Sequence, residues 1–193
     1  SSRTDSNLDY IKNTSTHSGK KAEVIYFAGC MSHLTPGIKR SMETIFNAAS
    51  VNYSHLDEFE SICCGRPMML AGLTEQALPL IARNKEMIMN SGARTLVTSC
   101  PICYKVFKES YGLSIEVLHH TQYLDSLIHM GKLRLKKSAR KVVYHDPCEL
   151  GRGSGIYNEP RNILKRVAHL QESNKHKEDS LCCGGSLANT ILT

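Results

Sequence analysis

The cysteines are the residues of this chain whose type and spacing could do chemistry, and all eight fall into two sets. The first set comprises Cys30, Cys63-Cys64-Gly65 and Cys100-Pro101-Ile102-Cys103. A second set begins to repeat it at offsets of 118 residues (Cys30 to Cys148) and 119 residues (Cys63 to Cys182), and it ends on Cys182-Cys183-Gly184-Gly185. The segments that lead into Cys30 and Cys148 also align, because Glu-Val-Ile-Tyr-Phe-Ala-Gly-Cys lies over Lys-Val-Val-Tyr-His-Asp-Pro-Cys. The chain therefore contains an internal duplication whose repeated content is thiols.

The spacing of the first set suits metal ligation by thiolates. Cys100 and Cys103 are three residues apart at a predicted helix start, where both side chains share one face and the helix amino end favours the thiolate. Neighbours in an extended chain point to opposite sides, so Cys63 and Cys64 can converge only if the backbone turns sharply at once. Gly65 is the residue that permits such a turn, and we predict a positive φ for it.

Cys30 raises the number of thiols in this set to five, one more than a tetrahedral zinc site or an ordinary four-cysteine cluster requires. The spacing alone leaves several possibilities open. They are an iron–sulfur site, a zinc site built from four of the thiols or from three of them and His33, thiol–disulfide chemistry, and free buried thiols. The full, half-repeated pattern favours the iron–sulfur site.

Length and composition indicate a globular protein of one or two domains. The 193 residues are 41% hydrophobic and 22% charged, which is ordinary for such a chain. No apolar run approaches the roughly 20 residues that a membrane-spanning helix needs, and the start at Ser1-Ser2-Arg3-Thr4-Asp5 lacks a signal-peptide core. We therefore expect a cytoplasmic protein, in which cysteines serve metal or redox chemistry and structural disulfides are not expected.

The net charge of +6 is concentrated in one segment. Six cations lie within ten residues, without an acid among them, and the rest of the chain is formally neutral; the six are Lys132, Arg134, Lys136, Lys137, Arg140 and Lys141. A nucleic-acid-binding protein usually has a basic face with aromatic or helix-borne contacts, so we expect no nucleic acid as partner. A solvated linker is favoured here over a docking patch for an acidic partner.

Strand-like and helix-like segments alternate along the chain. The predicted strands are Glu23–Ala28, Val51–Leu56, Thr95–Ser99, Ile115–Leu118 and Lys141–His145. Predicted helices begin at Pro36, run from Thr74 to Asn90, begin again at Pro101, and extend from a cap at Thr121 to a stop at Gly131. Pro79 is expected to kink the second of these helices or to delay its start. We expect neither helix nor strand between Cys63 and Met69. This alternation predicts an α/β fold of mostly parallel strands with flanking helices, in which the cysteine loops follow the carboxyl ends of strands.

The cysteine pattern and its surroundings resemble the cysteine-rich CCG domain. That domain occurs in one type of heterodisulfide reductase subunit and in the iron–sulfur subunits of glycolate oxidase, lactate-utilisation oxidases and anaerobic glycerol-3-phosphate dehydrogenase. The resemblance extends beyond the thiols to Tyr144-His-Asp-Pro-Cys148-Glu-Leu-Gly-Arg152, Ile156-Tyr157-Asn-Glu-Pro160-Arg161 and Leu181-Cys-Cys-Gly-Gly185. It covers roughly residues 22–193.

The resemblance implies a domain that carries iron–sulfur clusters, in some members a non-cubane 4Fe–4S cluster held by five cysteines. Carried over position by position, the ligands are Cys30, Cys63, Cys64, Cys100 and Cys103, and Cys148, Cys182 and Cys183 form a second, incomplete set. Family members pass electrons to thiols, disulfides, quinone pools or partner flavoproteins. Clusters with exposed thiolates are readily lost in air, so an aerobic preparation could lack the cluster.

We therefore expect an iron–sulfur electron-transfer domain or subunit of a cytoplasmic oxidoreductase, either heterodisulfide reductase-like or hydroxy-acid oxidase-like. Its partners would be a flavoprotein or other redox subunits, membrane association would come only through a partner, and no residue of the chain would be an independent acid–base catalyst. The alternative is a zinc-stabilised, cysteine-rich interaction domain without redox activity. The electron donor, the acceptor and the final substrate are not encoded in these motifs.

The second repeat departs from the family pattern. After Thr193 the pattern continues through a helix and a strand to a second Cys-Pro-x-Cys, so we expect this chain to be a fragment of a longer protein. The expected organisation is a polar linker or tail (1–21), a first CCG repeat (22–131), a basic connection (132–140) and the truncated start of a second CCG repeat (141–193).

Four residues near the cysteines are candidates for a supporting role around the cluster. Arg66 and Arg152 could neutralise the negative charge of thiolates, or be surface arginines. His145 and Asp146 could ligate metal or deliver a proton, but a hydrogen-bonded pair that fixes the loop at the strand end is the favoured interpretation.

Overall fold

Strands and helices alternate up to His129, as the sequence predicts. The computed structural model describes residues 21–30, 36–57 and 62–184. The first four strands are β1 (Val24–Phe27), β2 (Tyr53–His55), β3 (Thr95–Thr98) and β4 (Glu116–His119). The helices among them are α1 (Pro36–Ala48), α2 (Arg66–Leu70), α3 (Thr74–Asn90), α4 (Pro101–Ser110) and α5 (His120–His129). The polar segment 1–20 and His33 lie outside the described residues.

The four strands form one parallel sheet in the order β2-β1-β3-β4. Val24 pairs with Tyr53 on one side and with Thr95 on the other, and Thr95 pairs with Glu116. Parallel strands place their carboxyl ends at one edge of the sheet, and this edge is where open α/β proteins bind ligands. The segments that carry Cys30 and Cys100 leave β1 and β3 at that edge.

Helices cover both faces of the sheet, and for that reason β1 is apolar at every position. Ile25 and Phe27 face a core that includes Ile88, Leu96 and Phe107. The alternate residues Val24 and Tyr26 face a second core, with Met42, Phe46, Val97 and Leu127. The prediction of a mostly parallel α/β fold is confirmed.

The second repeat starts with a separate two-stranded parallel sheet. It consists of β5 (Lys141–Val143) and β6 (His169–Gln171), which are connected through α6 (Gly151–Ser154) and α7 (Asn158–Val167). Leu150 and Ile156 are buried in the same core as Phe27 and Phe107, so this part packs directly on the first repeat. The segment 132–140 has no helix or strand, and apart from the half-buried Leu133 it is exposed. Its role as a linker stays a prediction.

Three local expectations need correction. A helix, α2, follows Gly65 where none was expected, because Gly65 turns the chain and Pro67 fits the first helical turn. The cap of α5 is His119, whose ring nitrogen accepts from Thr121 N–H; Thr121 itself lies inside the helix. Pro79, expected to kink or delay its helix, lies within α3, which begins at Thr74 as predicted.

Among the residues that the structure describes, no helix has the length and apolar character needed to span a lipid bilayer.

Candidate metal centre

Cys30 follows β1 in a loop that a buried aspartate holds. Asp57, which follows β2 and is fully buried, accepts hydrogen bonds from Ala28 N–H (3.1 Å) and Gly29 N–H (2.8 Å). Gly29 has φ +85°, and a Cβ built there would lie 3.5 Å from Cys103 Sγ. The loop bearing Cys30 therefore passes directly beside the helix that carries Cys103.

Cys63 and Cys64 lie in a turn that ends at Gly65. The φ of Gly65 is +91°, so the predicted positive φ is confirmed. Gly65 N–H donates to Cys63 Sγ at 3.4 Å, and the backbone N–H of Arg66 donates to Cys64 Sγ. Successive amide groups that point at sulfur atoms stabilise negative charge there, as in other backbone anion sites.

Cys100 and Cys103 belong to the turn from β3 into α4. Cys100 is the N-cap residue of the helix, its N–H donates to Thr98 Oγ1 at 3.3 Å, and Pro101 begins the first turn. The neighbouring Ser99 hydroxyl lies 2.7 Å from the Tyr26 hydroxyl, which connects this turn to β1. The helix amino end at the site is thus fixed to two strands of the sheet.

Four of the five thiols interact in a chain. The Cys64 thiol interacts with those of Cys63 and Cys103, and the Cys100 thiol interacts with that of Cys103. These interactions lower the pKa of Cys64 to about 3 and that of Cys100 to about 7, against an ordinary value of 9.0. The same interactions raise the pKa values of Cys63 and Cys103.

Cys30 lies close enough to the paired cysteines to affect Cys63. It is half-buried, and its charge contributes to the raised pKa of Cys63, after the hydrogen bond to Cys64 and burial. Thiols from the segments after β1 and β3 and from the turn before α2 thus lie near one another.

The side chains present suit a metal centre with thiolate ligands, because sulfur is the only potential ligand atom that they contribute to the cluster. Two of the cysteines, Cys64 and Cys100, favour the thiolate form. Within residues 21–30, 36–57 and 62–184, no group of three or more His, Cys, Asp or Glu side chains is arranged so that it could hold a metal ion. The assignment of all five cysteines as ligands therefore stays a prediction.

Three residues that support the site were missed by the sequence analysis. Asp57 holds the loop of Cys30, and Asn84 and Tyr111 bond the backbone of the paired cysteines. Asn84 could have been identified from the sequence, because it lies between Ile81 and Ile88 at helical spacing on the apolar face of α3. A polar residue at such a position needs a buried partner.

The second set of cysteines is more exposed than the first. Cys148 Sγ lies 3.9 Å from Cys182 Sγ, and Cys182 Sγ accepts from Gly184 N–H at 3.5 Å. Burial, followed by this contact, raises the pKa of Cys148, while the Gly184 amide lowers that of Cys182. Cys183 is exposed, and Gly185 lies outside the described residues.

Two of the candidate supporting residues fix the loops of the second set. Asp146 is buried and forms a bidentate ion pair with Arg161, with both oxygen–nitrogen distances 2.7 Å. His145 Nε2 bonds the carbonyl of Leu181 at 2.9 Å, next to Cys182. His145 and Asp146 thus bond different partners, and the role of either residue at a cluster stays a prediction.

The two candidate arginines contact the cysteine segments in different ways. Arg152 donates from Nη1 to the carbonyls of Ser180 (2.5 Å) and Glu178 (3.1 Å), and its charge helps to lower the pKa of Cys182. Arg66 serves the first set through its backbone amide. Neutralisation of a cluster by either side chain stays a prediction.

Comparisons with known proteins agree with these features. The family model of the CCG cysteine-rich domain matches residues 24–108 and 142–192. No solved structure matches the chain significantly.

Several curated proteins are similar over most of the chain. The EtfAB:quinone oxidoreductase of Syntrophomonas wolfei is 35% identical over 174 residues, covering 86% of this chain and 24% of that protein. A dihydromethanophenazine:CoB–CoM heterodisulfide reductase subunit from Methanosarcina barkeri is 30% identical over 177 residues, covering 85% of this chain and 43% of that protein. The probable iron-sulfur-binding oxidoreductase FadF of Bacillus subtilis is 31% identical over 175 residues, with coverage of 86% and 25%. The chain therefore spans less than half the length of these relatives.

Proposed function

Because the chain belongs to the cysteine-rich CCG domain family, we propose that it is an iron–sulfur electron-transfer domain or subunit of a cytoplasmic oxidoreductase. Its cluster, of the 4Fe–4S type, is held by Cys30, Cys63, Cys64, Cys100 and Cys103. The observation that carries the proposal is the mutual contact of Cys63, Cys64, Cys100 and Cys103, which reach one place from distant parts of the chain.

The protein supplies a binding site at the carboxyl edge of the sheet that is rich in thiolates and partly shielded from water. Cys64 and Cys103 are each 4% exposed, so water has little access to the inner half of the site. The amides of Gly65 and Arg66 and the lowered pKa values of Cys64 and Cys100 favour the charged thiolates that bind iron. A cluster held by these cysteines would supply one-electron transfer between a donor and an acceptor.

The organic half-reaction belongs to other subunits or domains. The similar proteins are named a quinone oxidoreductase, a heterodisulfide reductase subunit and an iron-sulfur-binding oxidoreductase, and the first two names give different substrates. A shared electron-carrying function accounts for what they have in common with this chain. The partner we propose is a flavoprotein or another redox subunit, which reduces or oxidises this domain one electron at a time.

Anaerobic reconstitution with iron and sulfide tests the proposal. We expect a brown protein with about four iron and four sulfide per chain, whose visible absorption is bleached by dithionite. Substitution by serine at any of the five proposed ligands should lower the iron content. Cys183→Ser, at an exposed cysteine of the second set, is the matched control and should leave the iron of the first site unchanged.

A colourless protein that instead binds one zinc ion tightly would contradict the electron-transfer proposal. It would support the zinc-stabilised interaction domain. If only Cys30→Ser retained full iron, the cluster would have four ligands and the five-cysteine assignment would be wrong.

A further inference from the structure

Two buried polar side chains lie next to the thiols but are not among the proposed ligands. Asn84 lies in the middle of α3 and is 1% exposed, and Tyr111 directly follows α4 and is 2% exposed. Both lie on the side of the sheet that is otherwise packed with apolar residues such as Ile88 and Phe107. Because buried polar groups are costly, their partners indicate what they do.

Their partners are the backbone carbonyls of the paired cysteines. Asn84 Nδ2 donates to the carbonyl of Cys63 at 2.9 Å and to the hydroxyl of Tyr111 at 3.0 Å. The Tyr111 hydroxyl in turn donates to the carbonyl of Cys64 at 3.1 Å. The hydroxyl of Tyr111 is thus an acceptor toward Asn84 and a donor toward Cys64.

These bonds fix the two peptide groups that decide where the adjacent thiols point. The carbonyl of Cys63 belongs to the peptide between the two cysteines, and that of Cys64 belongs to the peptide that enters Gly65. Holding both carbonyls leaves little freedom for the backbone rotations that would send the two sulfur atoms to opposite sides. Gly65 allows the turn, but a glycine alone does not select one conformation.

We propose that Asn84 and Tyr111 are positioning residues, which hold Cys63 and Cys64 in the geometry that ligates the cluster. This inference rests on the proposed function, because it assigns to the two residues a purpose at that site. The ring of Tyr111 also packs against Phe107, with ring centroids 4.6 Å apart, so only the hydroxyl and the amide belong to the proposal.

The test removes these polar groups and keeps the packing. Tyr111→Phe deletes the hydroxyl alone, and Asn84→Leu replaces the amide with an apolar side chain of similar size. Tyr104→Phe is the matched control, since Tyr104 is buried, lies next to Cys103 and has a hydroxyl that bonds Gln122. Its backbone N–H, which donates to the carbonyl of Cys100, is unchanged by this substitution. The first measurement is the rate of iron loss to a chelator from reconstituted protein. The second is peptide-resolved amide hydrogen exchange of metal-free protein over residues 62–70.

We expect Tyr111→Phe and Asn84→Leu to lose iron about tenfold faster than the wild type, as is usual when groups that orient metal ligands are removed. Exchange at residues 62–70 should rise about tenfold, as expected for the loss of one or two buried hydrogen bonds, while exchange in β1 and β3 stays the same. Tyr104→Phe should leave both measurements at the wild-type values.

Wild-type rates of iron loss in both variants would overturn the inference. So would exchange that rises equally throughout the chain, because the two residues would then support the core in general. If the wild type binds no iron at all, the proposed function fails. The exchange measurement still decides whether these residues position the cysteine pair.

Discussion

Gly65 has a backbone conformation that strains any residue with a Cβ. Its φ is +91°, while a Cβ there would meet Ile81 Cγ1 at an ordinary 3.5 Å, so the strain comes from the backbone and not from a clash. We expect Gly65→Ala to lower the free energy of unfolding by about 1 kcal/mol or more. Its larger effect should be a loss of iron per chain after anaerobic reconstitution, because Cys63 or Cys64 would be misplaced.

Gly37→Ala is the control for this prediction. Gly37 lies in α1, and a Cβ there would meet nothing within 4 Å. Its iron content should equal that of the wild type. Equal iron in the two variants would show that the turn at Gly65 is not what brings the neighbouring thiols together.

Two histidines where β4 passes into α5, the buried His119 and the half-buried His120, make the stability of the metal-free protein depend on pH. Burial lowers the pKa of His119 from 6.5 to about 3 and that of His120 to about 4. The unfolded chain therefore binds more protons than the folded chain below pH 6.5, and stability falls as pH decreases from there toward the folded pKa values. The limiting slope is about 1.4 kcal/mol per pH unit for each histidine.

His119→Asn should make the free energy of unfolding depend less steeply on pH, because the contribution of one of the two histidines is removed. Asparagine is itself a good N-cap residue, so it should keep the cap on α5 while removing the titrating group. Urea unfolding between pH 7 and pH 4.5 measures the effect, with the exposed His169→Asn as control. An unchanged slope in His119→Asn would mean that His119 is not the source of the pH dependence.

At the scale of elements, one ion pair joins the end of β5 to α7 and to the loop before Cys182. Asp146 accepts from Arg161 and from Lys177 N–H (2.7 Å), and its carbonyl accepts from Ser180 Oγ (2.9 Å). Arg161 also pairs with Glu172, which is much more exposed than Asp146. The loop between β6 and Cys182 is therefore held to the end of β5 by hydrogen bonds.

We expect Asp146→Asn to lower the free energy of unfolding by roughly 3 kcal/mol, because it leaves a buried arginine without its main counter-charge. Glu172→Gln, at the exposed partner of the same arginine, should cost less than about 1 kcal/mol. Urea denaturation of both variants measures the difference. Similar costs for the two would show that burial does not distinguish the two carboxylates.

At the scale of the whole molecule, the two repeats share a core. Leu150 is 2% exposed and Ile156 is 3% exposed, and both belong to the cluster that includes Phe27 and Phe107 of the first repeat. Lys105 of α4 also donates to the carbonyl of Gly153 at 2.8 Å. The start of the second repeat therefore depends on the first for its apolar contacts.

Leu150→Ala should cost about 3 kcal/mol and keep a single unfolding transition, because the cavity would lie in the shared core. Leu181, which is 65% exposed, is the control, and Leu181→Ala should stay within about 0.5 kcal/mol of the wild type. Two separate transitions in the wild type, with only the second affected by Leu150→Ala, would contradict the shared core.

The sequence by itself determined the fold class, the family and the place of the thiols along the chain. Side chains repeat every two residues along a strand and about every 3.6 along a helix, so short apolar strands can be distinguished from segments with helical spacing. The alternation of the two kinds of segment was enough to predict a parallel sheet with flanking helices. Cysteines that follow predicted strands had to meet at one edge, because parallel strands all end on the same side. Even the φ of Gly65 followed from local geometry, since two neighbouring thiols cannot converge without a turn.

The tertiary structure alone decided which polar residues support the site. Asp57 reaches Gly29 across 28 residues, Asn84 reaches Cys63 across 21, and Tyr111 reaches Cys64 across 47. The helix after Gly65 and the cap at His119 were also outside what local patterns indicate. A hydrogen bond between distant residues depends on how helices pack on the sheet to within about half an ångström. Apolar periodicity predicts which faces meet but does not specify position to that precision.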